Sequence, residues 1–113
     1  QFPELTVDVT ATGNQAMEAA EAADLVANAT SLGMKDGDPM PVPTKILGSR
    51  HTVFDTVYAP AKTPFLIEAQ KQGARPVGGL GMLARQGAAS LRIWSDMEPD
   101  EDLMIETLKR HLE

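Results

Sequence analysis

The sequence predicts an α/β fold built on a parallel sheet, and three observations carry the prediction. Short apolar runs rich in β-branched residues alternate along the 113 residues with helix-forming segments. Glycine, proline and asparagine punctuate nearly every change of pattern. Polar residues gather where the apolar runs end, as they do in open parallel sheets whose strand tips face a ligand. Strands that alternate with helices in this way are joined by right-handed crossovers.

Each element follows in order. Leu5 to Thr10 alternates apolar and polar residues and reads as a short strand, with Thr12-Gly13-Asn14 as a turn and cap. Gln15 to Ala23, rich in alanine, glutamate and methionine, predicts a helix. Asp24 to Asn28 has the pattern of a parallel strand buried on both faces and opening at its C-terminal end. Gly33 to Pro43 holds two glycines and three prolines and predicts a mobile surface loop. Thr52 to Val57 repeats the strand pattern. Thr63 then caps a helix that has Pro64 in its first turn and runs to Gly73. Ala74 to Val77 is a short strand that Pro76 places at an edge. Gly78-Gly79 leads into a helix over Met82 to Ile93. A last helix, from about Pro99 to Leu112, carries Leu103, Met104, Leu108 and Leu112 on one face. The six methionines suit a core, and the acidic run Asp96 to Asp102 suits a helix start favoured by the dipole.

Composition narrows the function. Sixteen acidic against ten basic residues give a net charge of −6, which repels nucleic acid and anionic membranes. The absence of cysteine excludes disulfides and thiolate metal sites, and suits a cytoplasmic protein. No apolar run reaches the roughly 18 residues of a membrane span. The two histidines have no carboxylate or cysteine at ligand spacing, so no metal site is expected; neither they nor Arg50 and Arg85 call for a function.

Four segments at predicted strand ends carry the functional reading. Asp24-Leu25-Val26-Ala27-Asn28-Ala29-Thr30-Ser31-Leu32-Gly33-Met34 runs from strand to loop, and Asp55-Thr56-Val57-Tyr58-Ala59-Pro60 does the same after the next strand. Thr63-Pro64-Phe65-Leu66, with Ala69 and Gly73-Ala74, forms the helix between them and the last segment, Gly79-Leu80-Gly81-Met82-Leu83-Ala84-Arg85-Gln86-Gly87-Ala88. Read from the residues alone, Asn28, Thr30 and Ser31 either cap a turn or offer an amide and hydroxyls to a ligand. Asp55 suits the ordering of backbone amides. Tyr58 is the only tyrosine and stands just past a strand end, where its hydroxyl can reach a ligand while its ring packs. Paired glycines remove side chains where a backbone must come close to something flat, or simply make a turn. Gln86 is one helical turn beyond Met82 on the same face.

In this order and at these spacings the segments resemble the shikimate dehydrogenases over about Asp24 to Trp94. The resemblance implies a partial Rossmann-type sheet, the second half of a dinucleotide-binding domain, filling residues 1–113 with the C-terminal helix at about 98–113. It implies an oxidoreductase of aromatic amino-acid (chorismate) biosynthesis that reduces 3-dehydroshikimate to shikimate with NADP; NAD and quinate are the alternatives. Asn28, Thr30, Ser31, Thr56, Gly79 and Met82 would meet the cofactor, and Tyr58 and Gln86 the substrate. Gly78 departs from the aspartate often found before that second glycine. The family gives Asp55 no proton-transfer role, and no residue of this chain suits a general acid or base.

Two features of such an enzyme are not in this sequence: the glycine-rich pyrophosphate turn and the N-terminal substrate domain. The glutamine at position 1 points to a chain cut from a longer one. Leu5 to Thr10, if it is the third strand of the domain, has no neighbour here and is expected either to be disordered or to pair with a second copy, which leaves a homodimer open. The alternative to the enzyme is a non-catalytic α/β interaction or small-ligand module. A signalling receiver, its best-known form, needs an acidic cluster after the first strand and a lysine after a late one. Neither stands at those places.

Overall fold

The computed structural model describes residues 3–11 and 13–112. The elements are α1 (Asn14–Ala22), β1 (Leu25–Asn28), a 3-10 turn (Thr44–Ile46), β2 (Thr52–Asp55), α2 (Pro64–Lys71), β3 (Arg75–Val77), α3 (Leu80–Ser95) and α4 (Glu101–Leu112). The three strands form one parallel sheet in the order β1-β2-β3. Every crossover between neighbouring strands is then a βαβ-type or loop connection over the sheet, as the alternating pattern predicts.

The core lies between the sheet and α2. Val53 of the central strand is fully buried with Phe65, Leu66 and Ala69 of α2, and Leu47 and Ala74 complete the cluster. Thr63 caps α2 by accepting from the Leu66 N–H at 3.3 Å, and Pro64 opens its first turn. Both features follow the sequence expectation. Pro76 sits on β3, an edge strand, opposite Val53. Helix α3 turns Leu80, Ala84 and Ala88 inward. Gly87 lies under α4, where a Cβ would stand 3.2 Å from the flexible end of Met104. Asp100 caps α4 through the Leu103 N–H at 3.0 Å. Arg92 of α3 then clasps Glu98 at 2.6 Å and Glu101 at 2.8 Å across the connection.

Four expectations need correction. Leu5 to Thr10 belongs to no strand, with Leu5 61% and Val9 93% exposed. Alternating β-branched residues prefer extended backbone, yet a strand exists only where a neighbour takes its hydrogen bonds. Strand β1 is not buried on both faces: it is an edge strand, and Leu25 is 57% exposed. The reason is that α1 buries no residue and rests against the 3-10 turn instead of covering β1. Third, Met34 and Met97 are exposed and none of the methionines is fully buried. Fourth, α1 starts from Gly13 with no side-chain cap, and Thr12 lies outside the described residues.

His51, for which residue type and spacing call for no function, pins α1 to the sheet. Its Nδ1 accepts from the Gly48 N–H at 2.9 Å, so Nε2 carries the proton and donates to the Glu21 carbonyl at 3.0 Å. Arg50 donates to the Ala22 carbonyl beside it at 2.8 Å. The irregular Gly33–Pro43 segment folds on itself where Asp38 Oδ2 accepts from the Gly33 and Lys35 N–H groups, each at 3.0 Å. These two bonds, that from Lys35 the stronger, hold the Asp38 carboxyl below its ordinary value.

Candidate functional site

Parallel pairing sets Asn28, the last residue of β1, beside Asp55, the last residue of β2. Both side chains are buried. Asn28 Nδ2 donates to Asp55 Oδ1 at 3.0 Å and to the Leu32 carbonyl at 3.0 Å. Its Oδ1 accepts from the Thr30 N–H at 3.1 Å and the Thr30 hydroxyl at 2.6 Å. A primary amide has two donors and two acceptor sites, so Asn28 has none left. Thr30 in turn accepts from the Leu32 N–H at 3.1 Å, which winds the loop after β1 into a compact turn.

The exit from β2 is held from the same place. Asp55 Oδ1 also accepts from the Val57 N–H at 3.0 Å, and Oδ2 accepts from the Thr63 hydroxyl at 2.7 Å. The carboxylate therefore ties β1, β2 and the start of α2 together, and the amide-ordering role read from the sequence is what it performs. Thr56 donates twice to the Asn28 carbonyl, from its N–H at 3.0 Å and its hydroxyl at 2.9 Å.

These bonds shape a cleft of about 210 Å³ over the C-terminal ends of β1 and β2, lined by Thr30, Met34, Thr56, Val57, Tyr58 and Ala59. Thr30 and Tyr58, singled out at separate strand ends, face one space, and Ser31 is exposed next to Thr30. Tyr58 is 39% exposed. Gly79 stands behind this wall: a Cβ there would lie 2.6 Å from the Thr56 carbonyl oxygen and 3.1 Å from that of Asp55. Its missing side chain is thus required by the close approach of α3 to β2, a reason the sequence could not supply. Met82 is exposed one turn into α3.

Gln86 does not line this cleft. It is exposed along α3 and borders a shallow groove of about 320 Å³ with Leu83, Leu91, Trp94 and Met104. Met34, a lining residue, was not singled out by sequence reasoning; the adjacent Gly33, with φ 101°, was the available sign of a turn that swings it back. Thr63 was read only as a helix cap, since nothing local shows that a hydroxyl eight residues on reaches Asp55. Chemically, the cleft offers hydroxyls and exposed backbone but no acid–base pair: Tyr58 is the one titratable side chain on its lining.

Residues 79–109 match the family model described as "Shikimate 5'-dehydrogenase C-terminal domain". The shikimate dehydrogenase (NADP(+)) of Archaeoglobus fulgidus is 46% identical over 90 residues, which cover 79% of this chain and 34% of that protein. Among solved structures, the shikimate 5-dehydrogenase of Thermus thermophilus in complex with NADP(H) and shikimate superposes with a TM-score of 0.76 at 38% identity. That match covers 83% of this chain and 36% of the other. The quinate dehydrogenase of Corynebacterium glutamicum in complex with NAD gives a TM-score of 0.76 at 32% identity, over 83% and 33% of the two chains. The chain spans about a third of the length of the curated relatives it matches. Sequence likeness along most of the chain, together with a shared arrangement of parallel strands and helices, matches it to the C-terminal part of the shikimate dehydrogenases.

Proposed function

We propose that this chain forms the nicotinamide-side wall and part of the substrate site of an NADP-dependent dehydrogenase that interconverts 3-dehydroshikimate and shikimate. The observation that carries the reading is the cleft in which Thr30, Thr56 and Tyr58 converge at the strand ends, in a chain of this family. The groups present suit a ribose and a carboxamide: an exposed Ser31 hydroxyl, a Thr30 hydroxyl whose proton goes to Asn28 and which keeps one acceptor position, a close-packed glycine at position 79 and an exposed thioether at Met82. When bound, the cofactor supplies or accepts the hydride. This chain's part is to hold it and to orient the substrate, with the Tyr58 hydroxyl and the Gln86 amide hydrogen-bonding the substrate's polar groups. Proton transfer and the pyrophosphate contacts belong, in this reading, to the rest of the protein. Asn28, with its amide fully used, contributes through its neighbours. The reading places the enzyme in the cytoplasm; no helix among the described residues is long and apolar enough to cross a membrane. A second copy pairing at the open edge of β1 is part of the proposal only as an alternative to the protein's own remaining strands.

The test is steady-state kinetics of the full-length enzyme with each substrate varied separately. Tyr58→Phe and Gln86→Ala should each lower kcat/KM for shikimate by roughly five- to 150-fold, the loss of one hydrogen bond worth about 1–3 kcal/mol, with the NADP KM little changed. Turnover with quinate and NAD but not with shikimate and NADP would move the assignment to the quinate branch. No nicotinamide-linked turnover with either pair would remove it.

A further inference from the structure

We infer that the buried Asn28–Asp55 pair is the positioning device of the cofactor cleft, setting the spacing of its two walls from below without touching the ligand. The inference rests on the proposed function, in that the cleft is taken to hold the cofactor. The two walls come from different strands. One is the turn after β1, whose Thr30 is held twice by Asn28 Oδ1, at 3.1 and 2.6 Å. The other is the exit of β2, where Val57 is held by Asp55 Oδ1 at 3.0 Å and Thr56 donates to the Asn28 carbonyl. A single side-chain bond, Asn28 Nδ2 to Asp55 Oδ1 at 3.0 Å, joins the two holders.

Three facts give that bond its leverage. Asn28 is 2% and Asp55 0% exposed, so neither can exchange its partner for water. All four hydrogen-bonding positions of the Asn28 amide are used, so displacing Asp55 also displaces Thr30. The far oxygen of Asp55 is fixed by Thr63, which itself caps α2, so the carboxylate is anchored to a rigid helix. A pair placed this way is needed for cleft width, and its loss is read as cofactor affinity more than as chemistry.

The experiment compares variants of the full-length enzyme well below their melting temperatures. Asn28→Asp takes away both Nδ2 donors, leaves the Leu32 carbonyl without its partner and sets a second carboxyl against Asp55, which loosens the turn after β1; the KM for NADP+ should rise at least about ten-fold while kcat stays within about two-fold. Asp55→Asn is the conservative partner: its Oδ1 still accepts from Asn28 and Val57, and it should keep the NADP+ KM within about three-fold. Leu47→Ala, a core truncation among residues that do not line the cleft, should lower the melting temperature and leave the NADP+ KM unchanged. If Asn28→Asp folds and binds NADP+ as the unaltered enzyme does, the positioning role is wrong. So it is if Leu47→Ala shifts the KM equally, since stability alone would then explain the effect. Should Asn28→Asp fail to fold, amide exchange in the unaltered enzyme decides: the Thr30 and Val57 N–H groups should gain protection together on addition of NADP+, and independent responses overturn the coupling. An unaltered enzyme that does not use NADP+ at all overturns the proposed function, and this inference with it.

Discussion

At the scale of single residues, the site depends on atoms that are buried or absent. Tyr58 and Thr30 face the cleft, but the side chains that place them, Asn28, Asp55 and Thr63, are hidden beneath it. Gly79 acts through what it lacks. Adding a methyl group there drives a Cβ to 2.6 Å from the Thr56 carbonyl oxygen, backbone against backbone, with no flexible side chain able to yield. Its φ of −80° is open to any residue, so the penalty is overpacking and not strain. Gly79→Ala should therefore cost about 1–3 kcal/mol in urea denaturation. It should also raise the cofactor KM of the full-length enzyme, because relief requires Thr56 or the start of α3 to move. Gly81→Ala is the comparison: the nearest atom there is the end of the Arg85 side chain at 3.1 Å, which can swing aside, so this change should be close to neutral in stability.

At the scale of elements, α4 is attached to α3 by apolar packing and by two arginines, Arg85 and Arg92, that both reach Glu101. Leu83, Ala84 and Gly87 of α3 face Met104 and Leu108 of α4 across an apolar cavity of about 500 Å³, and Arg92 bridges Glu98 and Glu101. Hydrogen bonding to Arg92 lowers the Glu98 carboxyl below its ordinary 4.5, and Arg92 is correspondingly raised. The sign follows: a carboxyl with a depressed folded pKa adds stability above its unfolded value, and that contribution is lost as pH falls from about 4.5 through the folded value. The pair is largely exposed, so the effect is modest and weakens with salt. Trp94, the single tryptophan, borders the α3–α4 groove beside Met104 and reports on it. Trp94 fluorescence should change as pH is lowered below about 4.5 at low ionic strength. Arg92→Ala should largely abolish that pH dependence.

At the scale of the whole molecule, the chain presents one side of a site. In the proposed function it supplies the nicotinamide-side loops; its sequence holds no glycine-rich pyrophosphate turn, and it spans about a third of its relatives' length. The 113-residue chain by itself should show no shikimate oxidation above a blank. Its affinity for NADP should be millimolar or worse, since each charge-assisted phosphate contact it lacks is worth roughly 1.5–3 kcal/mol. Calorimetry with the isolated chain checks the second point: micromolar binding would mean that the nicotinamide side alone holds the cofactor.

Much of this was legible in the sequence because it is local. Periodicity and cap chemistry located β2, α2 and α3 to within a few residues, Thr63-Pro64 marked the start of α2, and Pro76 marked an edge strand. The polar residues at the strand ends marked where a cleft forms. What tertiary structure decided is non-local. Leu5 to Thr10 has strand chemistry, but only a partner makes a strand, and none is there. Likewise, β1 reads as buried because its residues are apolar, while its actual exposure depends on what lies beside it. The hydrogen bond between Asn28 and Asp55 spans 27 residues, and the near-contact behind Gly79 depends on how α3 meets β2. Residue type and spacing determine which groups this chain can offer; parallel pairing, which sets strand ends side by side, determines which of them meet.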